Sequence, residues 1–191
     1  LDKKTLGKIS RYLDVTRSAL LFGNRAVLVE GVAEALLLPI IAKKYTLSGD
    51  AEGWRRFKGT PLISIDGVDF KPYIEILLTQ SENVRIADKV VAITDADPSV
   101  PGNRKSDLEK RATDLGAGPN LAVYTNTHTL EHELMLAGNE SLLKGAFLDI
   151  HPKSESDWKT EVESSLVGDR PNALVRLLER KKTRKGDFAQ H

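Results

Sequence analysis

Four short apolar runs constrain this chain more than anything else in it: AVLV at 26–29, the core of PLISID at 61–66, VVAI at 90–93 and LAVY at 121–124. Each is too short for a stable helix and carries β-branched residues, which marks buried strands. Helical patterns separate them, over 32–44 with Pro39 placed to kink it, over 69–80 from a cap at Asp69, and over 107–115. Strand alternating with helix predicts an α/β fold: a small, mostly parallel sheet flanked by helices. Residues 46–60, TLSGDAEGWRRFKGT, read as a polar connection, and 95–106, with two prolines and a glycine, as a loop. Residues 1–22 look helical, with Ile9, Leu13, Leu20 and Leu21 among the apolar positions. Beyond residue 124 strand patterns stop. Residues 130–180 read as short helices punctuated by Gly138, Gly145, Pro152, Gly168 and Pro171, a C-terminal helical appendage.

Hydrophobic residues make up 40% of the 191, enough for a buried core and too many for a disordered chain. The absence of cysteine rules out disulfides and thiolate metal sites and fits a reducing, cytoplasmic setting. ALLLPIIA at 35–42 is far short of the roughly 20 residues that a membrane span needs, so no membrane is expected. Lys plus Arg number 28 against 27 Asp plus Glu, so the net charge says nothing about partners.

The first and third apolar runs stop at acids: VLVEGVAE places Glu30 and Glu34 after one, and ITDAD places Asp95 and Asp97 after the other. In a parallel α/β sheet, ligands bind beyond the carboxyl ends of the strands, and both pairs belong to that edge. Residues two apart in extended chain point the same way, so Asp95 and Asp97 can aim together. Gly31 is expected to permit a sharp turn, with Glu34 then in the first helical turn beyond it. Crowded carboxylates repel unless cations sit among them. Oxygen-only donors suit Mg²⁺ or Mn²⁺, and two such ions are the usual device for breaking phosphodiesters. Singly, Glu34 at a helix start or Asp97 before Pro98 is ordinary structural chemistry. Glu30, ending so apolar a strand, has no structural need to be there.

These residues resemble the Toprim signature, a strand-terminal Glu before Gly and a later strand-terminal D-x-D. Three further stretches resemble the overcoming-lysogenization-defect (OLD) nucleases: RYLDVTRSALLFGNRAVLVEGVAEALLLP (11–39), TLEHEL (129–134) and KGDFAQ (185–190). The resemblance implies a Toprim catalytic core with a leading helix over 1–134, a helical appendage over 135–180, and a basic tail over 181–191 that returns a lysine to the active site. The appendage resembles that of the subgroup encoded beside a UvrD-like helicase. The implied activity is two-metal DNA nicking or cleavage. Glu30, Glu34, Asp95, Asp97, Glu131 and Glu133 would bind metal, with Glu30, Asp95 and Lys185 catalytic. OLD proteins carry an ABC-type ATPase domain ahead of this region, whereas no G-x-x-x-x-G-K-[ST] loop occurs here, so this chain is not expected to bind ATP. The missing initial Met favours an excised C-terminal part.

RLLERKKTRK at 176–185 holds six cations and one acid and is a candidate for phosphate contact through Arg180, Lys181, Lys182 and Arg184. WRRFK at 54–58, with Arg55 and Arg56, would flank the same groove. A solvated helix face is the competing reading of such runs. The four histidines lack metal-ligand spacing and read as surface or packing residues, as do Trp54 and Trp158. Rival functions are another Toprim activity, a D-x-D phosphotransferase, and a non-catalytic DNA-binding Toprim module. A topoisomerase needs a nucleophilic tyrosine and a primase a zinc region, neither of which is visible. The phosphotransferase normally places D-x-D after its first strand, not its third. Double-strand cleavage would need two sites, which a homo-oligomer would offer.

Overall fold

The computed structural model describes residues 24–82, 84–96 and 103–191; the helix expected over 1–22 and the acid Asp97 lie outside them. The four apolar runs form the strands β1 (Arg25–Val29), β2 (Leu62–Ser64), β3 (Lys89–Asp95) and β4 (Leu121–Asn126). They make one parallel sheet in the order β2-β1-β3-β4. β1 pairs with β2 on one side and β3 on the other, with Val29 opposite Ser64 and Ile93. The strand order therefore reverses at the β1–β3 pair, the place where α/β sheets collect ligands. That register carries Glu30 alongside Thr94, and Asp95 is the last residue of β3.

Helix α1 (Val32–Ile41) contains Pro39 and runs on as a π-helical turn over Ala42–Thr46. A proline has no N–H for the i−4 carbonyl, and a widened turn is one way to absorb that loss. Residues 46–60, expected as a connection, contain a helix, α2 (Ala51–Lys58). Asp50 starts it, its carboxylate accepting the Gly53 N–H at 2.8 Å. Helix α3 (Lys71–Leu78) begins without a side-chain cap. Phe70 rather than Asp69 holds the capping position, and Pro72 occupies the first turn, where a missing N–H costs nothing. Helix α4 (Arg104–Asp114) starts three residues before the expected 107, because the Asn103 side chain accepts the Ser106 N–H at 3.1 Å.

The described residues divide into two compact units, one running up to 94 and taking in 103–125, the other holding 95–96 and 126–191. In the first, Leu28, Ile63, Phe70, Ile74, Leu78 and Leu108 lead the buried core. The second is helical: α5 (Leu130–Leu136), α6 (Glu140–Ile150), α7 (Glu155–Trp158) with a π-helical continuation over Lys159–Glu163, α8 (Arg170–Arg180) and α9 (Lys185–Phe188). Helix α8 buries Ala173, Leu174, Leu177 and Leu178 on one face, the i, i+1, i+4, i+5 pattern of an amphipathic helix, and packs against α5. Trp158 and Phe147, both fully buried and 5.5 Å apart between ring centroids, anchor this second core. Each such side chain contributes about 1.5–3 kcal/mol through burial alone. Among the described residues no helix is long and apolar enough to cross a membrane.

Candidate metal and phosphodiester site

In the first unit, Glu30 continues β1, and its carbonyl accepts the Gly67 N–H at 3.0 Å, which ties its backbone to the turn after β2. Its carboxylate receives the guanidinium of Arg104 at 2.6 Å and the hydroxyl of Thr94. Arg104 also donates to the Thr94 oxygen at 2.7 Å, closing a triangle of three side chains. All three are largely withdrawn from solvent, Thr94 almost completely. Charge-assisted bonds in such a setting hold a carboxylate in one orientation.

Glu34 is only 5% exposed, and its Oε2 accepts the Gly31 N–H at 3.1 Å. Gly31 itself is extended (φ −143°, ψ −178°), a conformation open to any residue. The sharp turn expected of it is absent. Glycine is favoured there by close approach, since a Cβ on residue 31 would lie 3.3 Å from that Glu34 oxygen.

In the second unit, Asp95 Oδ1 accepts from the Asn126 amide at 2.8 Å, and the Ala96 N–H donates to the Asn126 carbonyl at 3.1 Å. Glu131, in the first turn of α5, is 4% exposed. The Lys185 ammonium lies 3.9 Å from Asp95 and 3.5 Å from Glu131. These separations exceed a charge-assisted hydrogen bond of about 2.8 Å, so the ammonium acts here as a point charge attracted to both. Glu133 accepts the Thr127 N–H at 2.7 Å, a bond that closes the approach to α5. Asp97 lies outside the described residues.

The basic candidates differ among themselves. Arg56 is paired with Glu52, Arg180 with Asp157 and Glu161, and Lys181 with Asp157 at 2.7 Å. Their charge is already countered. Arg55, Lys182 and Arg184 are exposed. Of the histidines, His132 is buried and stacks on His128 with ring centroids 5.3 Å apart. His151 contacts Phe147 and hydrogen-bonds Thr183 at 2.9 Å.

Sequence reasoning passed over Thr94, Arg104 and Asn126. Thr94 carried one signal, since it holds the core-facing phase of β3 that Val90 and Ala92 occupy, where a hydroxyl needs a partner. Arg104 would have come into view had Asn103 been read as a cap. Asn126 left no local signal.

Within the second unit, Asp95 and Glu131 are carboxylate oxygen donors of the kind a hard divalent cation takes, and they already share one positive charge. Among the described residues no three His, Cys, Asp or Glu gather closely enough to hold an ion. Mg²⁺ commonly takes only one or two carboxylates, with water and substrate phosphate for the rest.

Residues 21–97 match the family described as overcoming lysogenization defect protein-like, Toprim domain. Two solved structures resemble the chain across most of its length. The C-terminal region of the Xanthomonas campestris pv. campestris OLD protein aligns with a TM-score of 0.62 and 25% identity, over 88% of this chain and 84% of that one. The C-terminal region of the Burkholderia pseudomallei OLD protein aligns with a TM-score of 0.57 and 25% identity, over 88% and 86%. No curated protein matches.

Proposed function

We propose, from the match of residues 21–97 to the OLD-like Toprim domain family, that the chain is the catalytic region of a metal-dependent DNA endonuclease. The observation that carries the proposal is the placement of Lys185, whose ammonium is attracted to both Asp95 and the buried Glu131. These three chemically matched groups come from three distant parts of the chain, and a tail lysine with no role would have no reason to meet both acids.

In this reading Glu30, Glu34, Asp95, Asp97, Glu131 and Glu133 are the candidate ligands for two divalent cations, Mg²⁺ or Mn²⁺. When bound, such ions activate the attacking oxygen and neutralise charge on the leaving one. The chain's own residues do the rest. Arg104 and Thr94 fix the Glu30 carboxylate, and Asn126 fixes that of Asp95. Lys185 offers a positive charge to the phosphorane or leaving oxygen. Lys182 and Arg184, exposed beside it in sequence, attract the phosphate backbone.

The partners in this reading are DNA, an N-terminal ABC-type ATPase domain of a longer protein, a UvrD-like helicase and, for double-strand cuts, a second copy of the chain. The test is incubation of the chain with supercoiled plasmid in Mg²⁺, Mn²⁺ or EDTA, beside Glu30→Ala and Asp95→Ala. Metal-dependent nicking or linearisation that both substitutions abolish is expected. Intact plasmid under every metal, with DNA binding retained, would favour the non-catalytic module instead.

A further inference from the structure

The stretch over Ala42–Gly59 carries a charge imbalance that the candidate site does not use. It holds five cations (Lys43, Lys44, Arg55, Arg56 and Lys58) against two acids, Asp50 and Glu52, a surplus larger than the net +1 of the whole chain. Both acids are occupied. Asp50 caps α2 through the Gly53 N–H, and Glu52 pairs with Arg56 one turn along the helix. Lys43, Lys44, Arg55 and Lys58 therefore have no carboxylate partner among the described residues, and all four are exposed.

The local fold keeps these cations together. The Lys43 ammonium stands 5.9 Å from the centroid of the Trp54 ring, within reach of a cation–π attraction, so the π-helical turn and α2 are in contact. Trp54 stacks on Phe57 with centroids 5.9 Å apart and an interplanar angle of 23°. Three-residue spacing puts Trp54 and Phe57 on one face of α2 and Arg55 and Lys58 on the adjoining one. The helix buries no residue fully. An eight-residue helix that contributes so little to the core, yet is capped and braced by an aromatic pair, is a platform for its outer face.

We propose that Lys43, Lys44, Arg55 and Lys58 form a docking surface for the phosphate backbone of DNA. The proposal rests on the DNA-acting reading above and adds a second contact region, in the first unit, to that reading. Trp54 and Phe57 stack on each other and Lys43 stands over Trp54, so the rings brace the cations, and phosphate contacts of this kind are indifferent to sequence. Arg56, held by Glu52, is a bystander.

The test is fluorescence anisotropy with labelled duplexes of two unrelated sequences, in EDTA so that no cleavage occurs, over a series of salt concentrations. Lys44→Gln/Arg55→Gln/Lys58→Gln is expected to lower the slope of log K against log salt by about 2–3, near 0.9 for each phosphate no longer neutralised. Affinity should fall at least tenfold, equally for both duplexes. Lys58→Gln alone should lower the slope by about 0.9, and Lys105→Gln, on α4, should leave it unchanged. Unchanged slopes in the triple variant, with circular dichroism showing an intact fold, would overturn the proposal. So would failure of the wild-type chain to bind DNA, or loss of binding to anionic phosphatidylserine vesicles while DNA binding is kept. Because cleavage plays no part, a chain that leaves plasmid intact but shows the slope change would sink the nuclease reading and keep this surface.

Discussion

The Arg104 guanidinium stands 2.6 Å from the Glu30 carboxylate, and both side chains are about four-fifths withdrawn from solvent. The pair joins residues 74 apart in sequence, with the Thr94 hydroxyl bonded to both members. A carboxylate in that position, deprived of its cation, would keep its charge with little water to solvate it.

Arg104→Gln is therefore expected to destabilise the chain by about 1–3 kcal/mol, the range for hydrogen bonds to charged groups. Arg104→Lys should recover part of that, because an ammonium restores the charge but not the fork that reaches Glu30 and Thr94 together. Urea unfolding of the two variants beside the wild type is the measurement. Equal stability in all three would show that the triangle contributes nothing.

Lys185 gives the opposite profile. Its side chain is 53% exposed although it faces two carboxylates. Lys185→Ala should leave stability within about 0.5 kcal/mol while lowering metal-dependent plasmid nicking by about 10²–10³. Lys185→Arg should restore more activity than Lys185→Ala retains. Loss of stability in parallel with activity would reassign Lys185 to folding.

Asp157 sets an acid limit on the second unit. Lys181 first, then Arg180, hold its carboxyl down from the ordinary 3.8 to about 2. A carboxyl lowered by folding stabilises the native state above its unfolded value, and that contribution is lost as pH falls through its folded value. Stability from this group should be constant above about pH 5 and decline between roughly pH 4 and 2. Thermal melts of wild type and Asp157→Asn across that window should converge as the pH drops. A gap of constant size would mean that the carboxyl does not titrate there.

Trp158 is fully buried, and its indole N–H has no hydrogen-bond partner among the described residues. Trp158→Ala should cost about 3–5 kcal/mol through the cavity it leaves. Trp158→Phe should cost clearly less, because the smaller hole is offset by removing an unsatisfied donor. Chemical denaturation of both variants reads the difference, and equal losses would mean that the indole nitrogen is satisfied in solution.

Much of the sheet was legible because its signals are local. Val27, Leu28 and Val29 cannot be exposed together, and a run that short suits a strand. The expected strands at 26–29, 61–66, 90–93 and 121–124 all appear, β3 running on to Asp95 and β4 to Asn126. Helix α2 was missed because its code is a cap, Asp50, and an aromatic pair rather than a run of apolar residues. The start of α4 was missed for the same kind of reason, its cap being Asn103.

The sequence by itself determined the α/β order and which strands end in acids, since both follow from side chains within about four residues of one another. Only the tertiary structure decided which charge each acid meets. Nothing near Glu30 names Arg104, and nothing near Asp95 names Lys185. Coulomb attraction acts between any opposite charges, so the partner is chosen by which distant segments the packed cores bring within a few ångströms. That choice is made by the closure of the chain and is absent from any window along it.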